Sequence, residues 1–189
     1  MTVARRTGWA GVGAALVAGL VLGVPAHADP TPETHTVHFS SPFTDPGTRP
    51  TGLGSCAAAN PMVCDMRYGG TAAFTGALTT FVDYYGFMHY DPVNHVVEGE
   101  GWDHHTGSLQ GCGEGSFVLH QTEERGDPTT ADPATGTFRL TLKWEILPGS
   151  GTGDFQGARG SGTAWGDFHP DLSNTGTYTG TITCRGNQD

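Results

Sequence analysis

Pro148-Gly-Ser-Gly-Thr-Gly-Asp-Phe-Gln-Gly-Ala-Arg-Gly-Ser-Gly-Thr163 is the stretch from which the fold is read. Phe155 is its only large apolar side chain. Glycine at this density permits positive φ and close backbone approach. The stretch reads as a connection whose short turn, Asp154 to Arg159, sets Phe155 into one end of a barrel. Gly149, Gly151, Gly153, Gly157 and Gly160 then let the chain reverse. The segment just before it, Thr137 to Leu147, is the clearest strand. Phe138, Leu140, Leu142, Trp144 and Ile146 alternate with Thr137, Arg139, Thr141, Lys143 and Glu145. A strict period of two means one buried and one wet face.

Working outward, Gly111 to Gln121 is a strand with Phe117 and Leu119 facing the core. Glu123 to Thr137, with Asp127-Pro and Asp132-Pro, is a loop. His95 to His105 puts Val96, Glu98, Glu100, Trp102 and His104 on one face and Val97, Gly99, Gly101, Asp103 and His105 on the other. The small residues of the second set let a sheet bend at a barrel corner. Leu78 to Tyr90 is rich in β-formers, and Gly70 to Ala77 is a weaker strand around Phe74. Thr36 to Pro42 makes a first strand with Val37 and Phe39 on one face. Residues 44–66 read as a long loop containing Cys56 and Cys64. After the glycine segment, Gly160 to Gly166 is a short strand. Gly176 to Cys184 closes the chain with Tyr178, Ile182 and Cys184 facing in. This is an all-β chain of about eight strands, an antiparallel barrel or a two-sheet sandwich.

Gly149 to Gly160 resembles the Gly-Ser-Gly … Phe-x-Gly-Ala-x-Gly stretch of plant allene oxide cyclases, and dirigent proteins carry a looser version. It is closer to a bacterial family, many members secreted, that is named only as a domain of unknown function and placed with the allene oxide cyclase-like barrels. Gly111-Cys-Gly-Glu-Gly-Ser-Phe-Val-Leu119 is similar to that family's Gly-x-Gly-x-Phe-x-Leu strand. The resemblance covers roughly the last half of the chain and implies a closed eight-stranded antiparallel barrel in preference to the sandwich. It also implies a small-molecule lumen, with isomerase or cyclase chemistry as one use of it. No catalytic residue carries over to a numbered position here.

The first 28 residues have the order of a secretory signal peptide: Arg5-Arg6, an apolar run from Trp9 to Val24, and Ala26-His27-Ala28. The expected organisation is signal peptide 1–28, leader 29–35 and one barrel domain over 36–189, with secretion as the destination. Cleavage removes two arginines and no acid, taking the net charge from −10 to −12. An acidic chain with a single lysine, Lys143, is a poor partner for nucleic acid and for anionic membrane surfaces. All four cysteines lie in the exported part. Two disulfides are expected, Cys56 with Cys64 from their closeness in sequence and Cys112 with Cys184 by elimination.

Candidate chemistry is sparse. His104 and His105 point to opposite faces of a strand and cannot chelate together. His89 and His95 bracket a turn, and the bland reading is preferred there as well, so no metal and no cofactor are expected. The glycine runs lack the helix that a phosphate loop needs. Glu98 and Glu100 share a face with Trp102 and could do acid/base work if that face lined the lumen, although a solvated outer face is the better reading. The aromatic set Phe81, Tyr84, Tyr85, Phe87, Trp102, Trp144 and Tyr178 reads first as core. The pocket candidates are Trp144, Tyr178, Trp102, Phe117, Glu98 and Glu100, around a small apolar or amphipathic ligand. The competing function is a non-catalytic extracellular interaction module that uses residues 44–66. The sequence leaves the oligomeric state open.

Overall fold

The structure, a computed structural model, describes residues 34–47, 49–57 and 60–185, with side chains at 34–47 and 63–185. The signal-peptide reading, and the leader apart from Thr34 and His35, lie outside the described residues. The strands are β1 (Thr34–Asp45), β2 (Arg49–Ala57), β3 (Asn60–Phe74), β4 (Leu78–Asp91), β5 (Val96–Leu109), β6 (Gly113–Gly126), β7 (Phe138–Ile146), β8 (Thr152–Gly153), β9 (Arg159–Phe168) and β10 (Asn174–Arg185). Among the described residues there is no α-helix. The single helical turn is a 3₁₀ turn at Pro128–Thr130, capped by the Asp127 carboxylate, which accepts from the Thr129 N–H. No helix of the described residues is long and apolar enough to cross a membrane.

The sheet runs β1-β10-β9-β7-β6-β5-β4-β3 and closes where β1 pairs with β3, Phe43 opposite Phe74 and Thr44 opposite Ala73. All these pairings are antiparallel, so the protein is an eight-stranded closed barrel, and the sandwich alternative is set aside by that closing ladder. Closure joins the two ends of that strand order, although β1 covers only the end of β3 at Ala73 and Phe74. Along β7 the burial alternates as the sequence reading requires, with Leu140, Trp144 and Ile146 buried.

Residues 44–66 are not a loop. β2 continues along the edge of β3 that β1 has just left, from Arg49 opposite Gly69 to Cys56 opposite Cys64. Its prolines and glycines were read as turn signals. In the fold they fit an irregular extra strand, with register shifts after Pro50, Leu53 and Cys56, and proline is tolerated on such strands. Cys64 is disulfide-bonded. The side chain of Cys56 lies outside the described residues, while its backbone sits opposite Cys64.

One end of the barrel is shut by the glycine-rich segment. β8 pairs with Gly115 and Ser116 of β6. Asp154 then clamps Glu114 twice, its N–H donating to the Glu114 carbonyl at 2.9 Å and its carboxylate accepting the Glu114 N–H at 2.8 Å. Gly153 and Gly157, at φ +59° and +75°, turn the chain where a side chain would be strained. Phe155 is wholly buried, 4.7 Å from the Phe117 ring. The Cys112–Cys184 disulfide ties the β5–β6 turn to the end of β10 beside it. Above this floor lie Leu78, Leu109, Leu119, Trp144 and Ile182, all buried.

Candidate functional site

Toward the other end the interior changes character. Asp45, Asp103, Gln121 and Glu124 are buried, with Tyr68 and Tyr178 among them. Five strands supply them. β5 contributes Asp103 because its inward face is the small one: Gly101, Asp103 and His105 are buried and Glu98 and Glu100 are exposed. β6 contributes both Gln121 and Glu124, which are three residues apart and so should face opposite ways on a regular strand. A bulge corrects the parity. Gly101 pairs with Gln121 and Gly99 with Glu124, so β6 spends one extra residue there, and Glu123 takes a φ of +53°.

The glycines make the room. A Cβ on Gly86 would lie 2.6 Å from the Tyr68 ring, one on Gly99 2.8 Å from the Glu124 carboxylate, and one on Gly101 2.8 Å from both the Tyr68 hydroxyl and Gln121 Oε1. Backbone, not side chain, therefore walls this side of the cluster, and Tyr68 and Glu124 occupy the slot.

Hydrogen bonds join the groups. Tyr68 OH donates to Glu124 Oε2 at 2.9 Å. Tyr178 OH donates to Asp103 Oδ2 at 3.0 Å, and Gln121 Nε2 donates to the same oxygen and to Tyr178 OH, both at 2.7 Å. Tyr84 OH donates to Asp45 Oδ2 at 2.5 Å. Burial pushes Asp103 up to about 6 and Glu124 up to about 7, against the lowering effect of those donors. Burial, followed by the nearby carboxylates, holds Tyr68 and Tyr178 well above the usual phenol value, so both stay protonated donors at neutral pH. His105 lies deeper, stacked on Phe117 at 4.9 Å. Burial lowers it to about 3, so its ring is neutral. Its Nδ1 is 2.9 Å from Thr80 Oγ1. Its Nε2 has no hydrogen-bond partner and lies 4.0 Å from Asp103 Oδ2.

A chamber of about 60 Å³ lies among Tyr68, Asp103, Gln121, Glu124 and Tyr178. Above it is an apolar mouth of about 410 Å³, lined among others by Met66, Met88, Tyr90, Phe138, Leu140 and Phe168. Met88, Leu140 and Phe168 line both, so the two spaces adjoin. The upper one falls in the size range of small-molecule sites, roughly 300–1,000 Å³. Chemically the arrangement is an apolar vestibule above two carboxylates that change protonation near neutral pH and tyrosines that do not.

Of the six pocket candidates read from the sequence, Tyr178 lines the chamber. Trp144 and Phe117 are core beneath it. Glu98, Glu100 and Trp102 lie on the outer wall, where Trp102 stacks between Tyr85 and His120 and Glu100 accepts from His120 at 2.6 Å. Their strand turns its glycine face inward because the Tyr68 and Glu124 side chains fill that space. Phe81, Tyr85 and Phe87, read as core, are exposed by 53%, 49% and 48%. The run Leu78 to Tyr90 is apolar on both faces, so its pattern could not tell them from Val82 and Tyr84. Tyr68, Gln121 and Glu124 were not anticipated. Asp103 was placed correctly on the small-residue face, and that face was the available signal. Among the described residues no three His, Cys, Asp or Glu are grouped to hold a metal ion.

Residues 56–169 match the model of a family described as a protein of unknown function, DUF3224. A crystal structure of a protein with unknown function from that family, from Shewanella oneidensis MR-1, is similar at 20% identity with a TM-score of 0.50. The match covers 79% of this chain and 96% of that one, and it speaks for the fold. No curated protein matches the chain. The relation to allene oxide cyclases is not part of these findings.

Proposed function

The chain belongs to the DUF3224 family, and from the site described above we propose that it is an exported barrel that binds a small amphipathic molecule. The apolar body would occupy the mouth and the polar head the chamber. The observation that carries this reading is the adjoining of an apolar mouth and a buried polar cluster at the end opposite the Phe155 plug. Export is supported by the leader-like first 28 residues and by the Cys112–Cys184 disulfide. If the ligand is a substrate, the site equips proton-transfer chemistry of the isomerase or cyclase kind. Glu124 and Asp103 can each accept or return a proton near pH 7, while Tyr68 and Tyr178 hold an oxygen in place.

The test is native mass spectrometry of the protein purified from its own host, with the same sample rerun denatured. A small molecule lost on denaturation is expected, and Leu140→Trp, which fills the mouth, should reduce its occupancy several-fold. A bare protein mass, or full occupancy in the filled variant, counts against the reading.

A second reading rests on β2. Among the described residues it ends the strand order and pairs with β3 alone, an edge on which a partner strand can add. In that case Leu53→Pro in β2 would abolish partner binding with the barrel's circular dichroism unchanged. Binding that survives the proline rules this edge out.

A further inference from the structure

We infer that the ligand's polar head is a cation, a protonated amine on an apolar chain. This rests on the amphiphile reading and names the chemical class of the head.

The argument begins with charge. Asp45, Asp103 and Glu124, from three different strands, converge on the chamber. Among the described residues no lysine or arginine lines either the chamber or the mouth. The partners that Asp103 and Glu124 have are neutral: a glutamine amide and two phenols. A buried carboxylate without a cationic partner is costly, and it either takes up a proton or waits for a counter-charge. An ammonium supplies that counter-charge together with three N–H donors and no acceptor, which suits a site built of carboxylate oxygens.

The walls suit a cation too. Tyr68 and Tyr84 stand 6.2 Å apart, centroid to centroid, and Phe43 and Phe74 meet Tyr178 edge-on at 5.4 and 5.0 Å. Aromatic faces around a desolvated position attract a positive head. An anionic head would meet the carboxylates of Asp103 and Glu124. A neutral alcohol would leave those two without a counter-charge. The chamber's volume, about 60 Å³, takes a compact head and no more. The mouth takes the chain.

Protonation gives the inference a second signature. The groups facing the head are Asp45 from β1, Tyr68 from β3, Tyr84 from β4, Asp103 from β5, Gln121 and Glu124 from β6 and Tyr178 from β10, with His105 behind Asp103 and His169 at the mouth. Of these, burial raises Asp103 to about 6 and Glu124 to about 7, and an ammonium beside them would favour their ionised forms.

The probes are n-octylamine, 1-octanol and octanoate, titrated calorimetrically into the intact oxidised protein at pH 8 and pH 5.5. Octylamine is expected to bind at least tenfold more tightly than the other two at pH 8, and to lose that advantage by pH 5.5. Asp103→Asn and Glu124→Gln should each narrow the gap between octylamine and octanol at pH 8. If octanol or octanoate matches octylamine on the wild-type protein, the cationic head is wrong and the amphiphile site stands. If none of the three binds, the amphiphile site itself falls, and this inference with it.

Discussion

Replacing Glu124 by glutamine should stabilise the protein more as the pH rises. The side chain is 6% exposed and accepts from Tyr68. A glutamine keeps an acceptor for that hydroxyl and cannot ionise. In the folded protein the Glu124 carboxyl titrates at about 7, above its ordinary value of 4.5. Between those two values the folded chain holds a proton that the unfolded chain has released. Stability therefore falls as pH rises through this window and levels off above about 7. At about 1.4 kcal/mol per pH unit the full effect is about 3 kcal/mol, most of it appearing between pH 5 and 8. For a domain of this size that is roughly 5–10 °C in Tm. The assay is a pair of calorimetric melts, wild type and Glu124→Gln, at pH 5 and at pH 8, with the disulfides intact. The variant's advantage should be small at pH 5 and several degrees at pH 8. An offset that is the same at both pH values would show that Glu124 ionises normally and would refute the burial argument on which the chamber's chemistry rests.

The same geometry makes further predictions. Phe155→Ala should cost about 3–5 kcal/mol in urea unfolding, because a wholly buried ring packed on Phe117 leaves a cavity in the floor. A cost below about 1 kcal/mol would mean the plug carries no packing. Removing the Cys112–Cys184 bond by a double serine substitution should lower stability by about 4 kcal/mol, from the 72-residue separation it spans. Denaturant midpoints of the two oxidised proteins decide this. Tyr178→Phe removes one of the donors that lower Asp103, so the Asp103 carboxyl, followed by NMR, should titrate above about 6. A midpoint that stays or falls contradicts the hydrogen-bond assignment.

What could be read in the sequence follows from where physical periodicity is clean. β7 was legible because its two faces differ in chemistry at every position, and the Phe155 turn because one large apolar residue stands alone among glycines. β5 was legible in part: Gly99 and Gly101 marked one face as the inward side of a bending sheet, while Tyr68 and Glu124, which fill the space beside them, left no mark. β4 was not, because Phe81, Tyr85 and Phe87 are as apolar as the residues they alternate with. β2 was hidden by prolines and glycines that, on an irregular extra strand, do not break pairing. Glu124 was hidden most deeply. Alternation from Phe117 through Leu119 and Gln121 sends it outward, and a bulge of one residue, invisible to any pattern of period two, brings it back in.

That bulge also bears on why the cluster exists. The closed half of the barrel shows that this fold packs an apolar core without difficulty: Leu78, Leu109, Leu119 and Ile182 are each at most 1% exposed. A hydrophobic upper half would be simpler, since isolated buried carboxylates lower stability and apolar replacements of similar volume are commonly neutral or better. Instead β6 departs from regular pairing to turn a glutamate inward, and glycines on β4 and β5 give up side-chain packing to seat it. The resulting cost of about 3 kcal/mol at neutral pH for Glu124 alone is a large part of a typical domain's net stability, about 5–15 kcal/mol. Nothing in closing a barrel calls for that departure. A ligand that meets the carboxylates would recover the cost on binding, which is why the irregular half of the barrel, and not its better-packed floor, is where its function should be sought.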